Sequence, residues 1–113
     1  MTQLFDALSG RIGVNAFTYV GHGQVRERVL GRDDRAPTPR ELDEMRGLVR
    51  RGMEQGAFGL SSGLFYVPGY YATTEEVIAL ARIAADYDGI YDTHDRDLGA
   101  TYQGMGYLNS IRE

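Results

Sequence analysis

The sequence of 113 residues contains no cysteine, so this chain by itself forms neither a disulfide framework nor a thiolate metal site. It also lacks any run of about 18 apolar residues, the length that a membrane-spanning helix requires. Its first residues have neither the basic start nor the apolar stretch of a signal peptide. These absences favour a cytoplasmic protein without a membrane partner.

An excess of positive charge is lacking as well. The 12 basic and 16 acidic residues give a net charge of -4, and the arginines lie among acids, as in residues 32–35. Such a surface does not attract the phosphates of nucleic acids. The 42% hydrophobic and 25% charged residues are instead typical of a globular protein. We therefore expect residues 1–113 to form part of a single domain with no nucleic-acid partner.

The clearest helix signal lies in residues 38–55. Thr38 and Glu41 have the spacing of a capping box, and Pro39 falls at the first helical position, where its missing N–H costs nothing. Gly56 is the expected left-handed terminator. Apolar residues recur every three or four positions and predict one buried stripe, made of Leu42, Met45, Val49 and Met53.

A second helix is predicted over residues 74–87. Thr73 and Glu76 repeat the capping-box spacing, and the pair Asp88-Gly89 follows as a stop signal. Shorter helices are expected over residues 24–30 and after Ala100. The predicted buried face of the second helix consists of Val77, Leu80, Ala81, Ala84 and Tyr87.

Three short apolar runs predict β-strands at residues 13–21, 57–62 and 90–94. Strands that alternate with helices indicate parallel βαβ units, in which both faces of each strand are buried. Three strands cannot close a barrel, and an open sheet of three would leave two bare edges. We therefore expect an incomplete domain, with the remainder of a larger sheet as its missing partner.

Side chains that can bind a metal, transfer a proton or contact a ligand follow each predicted strand. This is where α/β proteins place their functional groups. His94 ends the third strand and could bind a metal, move a proton or merely cap the strand. His22 lies between two glycines, either beside a ligand or as a hydrogen-bonded turn residue. The tyrosine-rich residues 63–71 supply either a hydroxyl that orients a substrate or simple packing.

Three blocks of the sequence together resemble the N-acyl-D-amino-acid deacylase (D-aminoacylase) branch of the amidohydrolase superfamily. They are Gly-His-Gly at residues 21–23 with Arg26 after it, Gly-Ala-Phe-Gly-Leu-Ser-Ser-Gly-Leu-Phe-Tyr-Val-Pro-Gly at residues 56–69, and Ile-Tyr-Asp-Thr-His-Asp-Arg at residues 90–96. The resemblance implies an α/β fold that is part of a (β/α)₈ TIM-like barrel, around strands three to five.

The resemblance also implies a zinc cofactor at the barrel mouth that polarises an amide and activates water. By motif, His94 corresponds to a zinc ligand and Tyr66 to a residue that contacts the substrate, whereas the His22 position has no assigned role. The family's cysteine ligand, its other histidines and its catalytic aspartate lie outside this sequence. The chain therefore contains no catalytic residue of its own and is expected to be inactive in isolation.

The sequence departs from the family pattern just after the histidine. Asp95 stands where the family has an apolar residue, and Leu98 interrupts the acidic run that follows the arginine. We expect a zinc-dependent hydrolase of a linear amide, with N-acyl-D-amino acids as small-molecule substrates. One alternative is hydrolysis of a cyclic amide, such as a hydantoin or dihydropyrimidine, by the same superfamily. The other is a small α/β module that binds a ligand without catalysis.

Overall fold

A computed structural model describes residues 2–99 and 106–113 of the chain. The elements, in order, are α1 (Thr2–Leu8), β1 (Val20–Gly21), α2 (His22–Leu30), α3 (Pro39–Glu54), β2 (Gly59–Gly63), a 3-10 helix (Gly69–Tyr71), α4 (Thr74–Ala85), β3 (Ile90–His94) and α5 (Tyr107–Arg112). None of the helices within the described residues is long and apolar enough to cross a membrane.

The three strands form one parallel sheet in the order β1-β2-β3. Val20 pairs with Leu60 in the first ladder, and the second ladder runs from Gly59 opposite Ile90 to Gly63 opposite His94. Each crossover contains a helix, as parallel neighbours require. The predicted α/β fold with three parallel strands is confirmed.

The two faces of the sheet differ in what they contact. Leu60 is fully buried in the core that α2, α3 and α4 form against the sheet. Because successive side chains alternate between faces, Ser62 shares the helix-covered face with Leu60, and its hydroxyl lies 2.6 Å from the hydroxyl of Tyr91. By the same alternation and register, Ser61, Asp92 and His94 belong to the opposite face. This second face is where a barrel has its interior.

Helix α3 forms as the sequence predicts. The Thr38 hydroxyl accepts the Glu41 N–H at 3.3 Å, and the Glu41 carboxylate accepts the Thr38 N–H at 2.8 Å, which completes the capping box. Gly56 has the left-handed conformation of a terminator, with φ +92°. Of the predicted stripe, three members are buried and Leu42 packs at its margin.

The prediction of a buried strand over residues 13–21 is largely wrong. Only Val20 and Gly21 pair with β2, and the side chains of Val14 and Phe17 are 76% and 61% exposed. The preference of apolar residues for strands is realised only where a neighbouring strand offers hydrogen bonds. Helix α2 also begins earlier than predicted, at His22, so this histidine lies in the helix and not in a loop.

Two details of the second predicted helix are also wrong. Tyr87 lies beyond the end of α4, is 39% exposed and donates its hydroxyl to Glu54. Thr73 does accept the Glu76 N–H, but the Glu76 side chain does not return to Thr73. It contacts α2 instead, so the capping box is only half formed.

The end of the described chain differs from the expectation of a strand buried on both faces. Residues 90–93 of β3 are exposed, because within residues 2–99 and 106–113 no strand pairs with its outer edge. The helix expected after Ala100 is described only from Tyr107 to Arg112, as α5. The first residues of the predicted helix lie outside the described residues.

Candidate functional site

The carboxyl ends of the three strands lie at one edge of the sheet. Gly63 is the register partner of His94, and Gly21 is that of Ser61. Residues 64–73 connect β2 to α4 at this edge, and we call them the Tyr66 loop. The parallel arrangement therefore brings the end of β3 and the Tyr66 loop together, as βα loops are in a barrel.

His94 and Tyr66, the two predicted site residues, are in contact. The Nε2 atom of His94 lies 3.5 Å from the Tyr66 hydroxyl, at the outer limit of a hydrogen bond, and the ring centroids are 5.0 Å apart. Phe65 lies on the same imidazole, with 5.5 Å between ring centroids. The imidazole is thus held between a strand and two aromatic rings.

The hydrogen bonds of His94 determine which ring nitrogen is available. Nδ1 lies 3.1 Å from the carbonyl oxygen of Asp95. A carbonyl oxygen only accepts, so Nδ1 carries the hydrogen in this bond, and in the neutral ring Nε2 has the lone pair. Metal-binding histidines typically donate one N–H to a carbonyl in this way, which orients the other nitrogen toward the ion.

Backbone hydrogen bonds hold the Tyr66 loop in a compact turn. The Tyr66 N–H donates to Gly63, and the Tyr70 N–H donates to the Tyr66 carbonyl at 2.8 Å. The Val67–Pro68 peptide bond is cis. Although its backbone is fixed in this way, the Tyr66 side chain is 57% exposed, so its hydroxyl is accessible at the edge of the sheet.

Arg96 donates hydrogen bonds to the backbone of the same loop. Its guanidinium donates to the carbonyl oxygens of Tyr70 and Ala72, at 2.7 and 2.9 Å, and it forms two further bonds with the Glu113 carboxylate. The bond to Glu113 raises the pKa of Arg96, and the pKa of Glu113 is lowered by the same bond. Asp95, which departs from the family pattern, lies beside Arg96 in an apolar cleft and does not contribute its carboxylate to the His94 ring contacts.

His22 lies away from this contact, contrary to the expectation of a loop residue. Its side chain is completely buried, and Nε2 lies 2.9 Å from Oε1 of Glu76. The other oxygen of Glu76 accepts from Arg26, whose guanidinium also donates to the backbone carbonyls of Asp33 and Arg35. We call His22, Arg26 and Glu76 the Glu76 cluster.

The charge of Glu76 is stabilised inside the protein. Burial raises the pKa of Glu76, but the hydrogen bonds from His22 and Arg26 and the charge of Arg26 outweigh burial, so the pKa lies below its ordinary value. The carboxylate therefore stays ionised and accepts both bonds. Nε2 of His22 is engaged by this carboxylate, whereas its buried Nδ1 has no hydrogen-bond partner among the described residues.

The described residues do not by themselves form a complete set of metal ligands. No group of three or more histidine, aspartate or glutamate side chains converges within residues 2–99 and 106–113. At the carboxyl edge of the sheet, Nε2 of His94 is available beside the Tyr66 hydroxyl, and an imidazole nitrogen is a donor that zinc accepts.

No protein-family model matches the chain. Among curated proteins, it is 45% identical over 86 residues to a D-aminoacylase of Alcaligenes xylosoxydans xylosoxydans, an alignment that covers 76% of this chain and 18% of that protein. The chain resembles an internal stretch of the N-acyl-D-amino-acid deacylases.

Two solved deacylase structures share the fold. A D-aminoacylase crystal structure, described as defining a novel subset of amidohydrolases, superposes with a TM-score of 0.84 at 32% identity and covers 98% of this chain and 23% of that one. The N-acyl-D-glutamate deacylase of Bordetella bronchiseptica, complexed with zinc and a phosphonate inhibitor, gives a TM-score of 0.76 at 36% identity over 85% of this chain and 20% of that one. The chain thus spans about a fifth of the length of these deacylases.

The sequence identified the two residues of the central contact, but neither their contact nor its supports. It singled out His94 and Tyr66 separately, and the structure places them against each other. It assigned no role to Arg96, and it treated Glu76 as a helix cap. A signal for the Glu76 cluster was present, because His22 and Arg26 are four residues apart and therefore share one helix face.

Proposed function

We propose that this chain is part of a zinc-dependent amidohydrolase that converts N-acyl-D-amino acids into a D-amino acid and a carboxylate. The observation that carries the proposal is the contact between His94 and Tyr66 at the carboxyl edge of the sheet. It places an oriented imidazole nitrogen next to an accessible phenol. The names of the related proteins, which are deacylases of N-acyl-D-amino acids, support this substrate class.

In this proposal His94 is a zinc ligand through Nε2. The chemistry that a bound zinc ion supplies is polarisation of the scissile amide and activation of a water molecule. The N–H of Nδ1, bonded to the Asp95 carbonyl, orients the ring, and Nε2 faces the Tyr66 hydroxyl. The zinc assignment is supported by two related structures, a D-aminoacylase with a binuclear metal centre and an N-acyl-D-glutamate deacylase complexed with zinc.

Tyr66 is the proposed substrate-contacting residue. Its phenol is accessible and next to the imidazole, so it can donate a hydrogen bond to an oxygen of a bound acyl amino acid. Phe65 packs against both the Tyr66 ring and the imidazole and provides an apolar surface beside them. Neither side chain holds or moves a proton in the hydrolysis itself.

The linear amide is preferred over the cyclic one because the related proteins are named as deacylases of acyl amino acids. The same relatives are enzymes, which counts against a module that only binds. A cytoplasmic location and the absence of nucleic-acid and membrane partners stay predictions from composition.

The test uses the complete polypeptide from the reading frame that contains this chain. Zinc content and kinetics on N-acetyl-D-amino acids are measured for His94→Ala and Tyr66→Phe. We expect His94→Ala to lose zinc and turnover together, because one ligand is removed. We expect Tyr66→Phe to retain zinc and to lose about tenfold to a hundredfold in kcat/KM, the effect of one hydrogen bond.

Matched controls exist within the chain. His22→Gln removes the other histidine, whose imidazole contacts Glu76, and should leave the zinc content unchanged. Tyr70→Phe removes the same hydroxyl from another position of the Tyr66 loop and should leave kcat/KM near the wild-type value. Full zinc and a near-normal rate in His94→Ala would show that His94 is only a strand-end residue.

A further inference from the structure

The Glu76 cluster has no part in the proposed chemistry, yet it is one of the most completely buried polar groups of the described chain. The side chains of His22 and Arg26 are 0% exposed, and that of Glu76 is 1% exposed. Burying a carboxylate with a guanidinium is costly unless the geometry satisfies both groups. Apolar residues at these three positions would be sufficient if α2 and α4 only had to pack against each other.

The cluster lies directly under the Tyr66 loop. Glu76 is in the first turn of α4, which begins where the loop ends. In the middle of the loop, a methyl group added at Gly69 would be in ordinary contact with Nδ1 of His22, at 3.7 Å, and would collide with the Gly63 carbonyl oxygen, at 2.5 Å. The loop backbone at Gly69 therefore passes next to the His22 ring, and Glu76 lies just beyond the far end of the loop.

The bonds of the cluster also fix α2 relative to α4. Arg26 donates to Glu76 and, through its other terminal nitrogen, to the carbonyl of Arg35 at 2.6 Å. His22 is the first residue of α2, immediately after β1. The end of β1 and the start of α4 are thus joined by hydrogen-bonded polar groups of definite geometry, whereas apolar contacts would allow sliding.

We propose that His22, Arg26 and Glu76 are positioning residues that hold the Tyr66 loop, and with it the Tyr66 hydroxyl, against His94. The proposal rests on the proposed function for the task of Tyr66 at the substrate. The cluster contacts neither metal nor substrate in this assignment. It acts through the loop backbone at Gly69 and through the start of α4.

The first experiment measures hydrogen exchange in the complete polypeptide that contains this chain and does not depend on activity. The reporters are four loop amides with hydrogen bonds inside the loop or to Gly63, namely those of Tyr66, Tyr70, Tyr71 and Ala72. In Glu76→Gln we expect the loop peptide to exchange about tenfold faster than in the wild type, with α3 peptides unchanged. Glu75→Gln, an exposed neighbour in the same helical turn, should leave both rates unchanged.

A pair of His22 variants distinguishes a hydrogen bond from simple filling of space. His22→Gln retains a side-chain N–H that can donate to Glu76, and should keep the loop protected. His22→Leu fills similar volume without a donor and should expose the loop amides to exchange. If both variants exchange as the wild type does, or if α3 loosens as much as the loop, the positioning role is wrong.

The second experiment uses the complete enzyme and asks whether Glu76 acts through Tyr66. In a double-mutant cycle of Glu76→Gln and Tyr66→Phe, at unchanged zinc content, the second substitution should cost little once the first is present. Additive losses in kcat/KM would refute coupling through the loop. A Tyr66→Phe variant with no loss would instead refute the substrate role of Tyr66, while the exchange experiment would still decide the positioning role.

Discussion

The same substitution, glycine to alanine, is expected to have opposite effects at two positions of this fold. Gly59 begins β2 and pairs with Ile90 of β3. A methyl group at Gly59 would lie 1.9 Å from the Ile90 carbonyl oxygen and 2.8 Å from the Ile90 nitrogen, whereas ordinary contact begins at 3.4 Å. Both obstacles are backbone atoms, so no side chain can rotate out of the way.

The expected loss of unfolding free energy has two contributions. Parting β2 from β3 at this point strains the packing, at a cost of about 1–3 kcal/mol. It also weakens the bond from the Ile90 N–H to the Phe58 carbonyl, worth about 0.5–1.5 kcal/mol. We therefore expect Gly59→Ala to lower the free energy of unfolding by about 2–4 kcal/mol, out of a total of about 5–15 kcal/mol.

Gly47 is the matched control. It lies inside α3, and a methyl group there meets only the flexible end of Arg51, at 3.5 Å. Alanine at this position should raise the free energy of unfolding by about 0.5–1 kcal/mol, because it removes the flexibility of a helical glycine. Urea unfolding of the 113-residue chain, followed by circular dichroism, measures both. Equal midpoints for the two variants would refute the close approach of β2 and β3.

Three further outcomes are expected. The pKa of Glu76 is lowered in the folded state, so its ionisation contributes stability above the ordinary glutamate pKa of 4.5, and this contribution is lost as the pH falls through the folded pKa. The difference in unfolding free energy between wild type and Glu76→Gln should therefore shrink below pH 4.5 in urea titrations, whereas a constant difference would contradict the lowered pKa. Met45→Ala, in the core, should cost about 2–5 kcal/mol in the same assay, and Ile78→Ala, at a 44% exposed position, less than about 1 kcal/mol. The 113-residue chain with added zinc should not hydrolyse N-acetyl-D-amino acids, and turnover above that of His94→Ala would overturn this expectation.

Local signals in the sequence were sufficient for the regular elements. The capping box at Thr38 and the terminator Gly56 involve residues that are close in sequence, and both form as predicted. The run over residues 90–94 likewise becomes β3. The strand predicted over residues 13–21 is largely absent before Val20. Whether these residues pair depends on the length of β2, which local preference does not reveal.

The support of the site could not be predicted because its bonds are long-range. Glu76 had an acceptable local partner in Thr73, but its carboxylate binds His22 and Arg26, which precede it by 54 and 50 residues. A buried guanidinium such as that of Arg26 competes more strongly for a carboxylate than a backbone N–H does. The resemblance identified His94 and Tyr66 by motif, whereas their mutual contact became apparent only from the register of β2 with β3.

The two-residue alternation of β3 restricts how this protein can change during evolution. Asp92 and His94 lie on one face and Tyr91 lies on the other, with Leu60 across the ladder. Deletion of a single residue within the strand would turn every side chain before it to the opposite face, so that Tyr91 would replace Asp92 beside His94. Descendants of this gene should therefore tolerate substitutions along β3 and length changes in the loops, but not single-codon insertions or deletions within the strand itself.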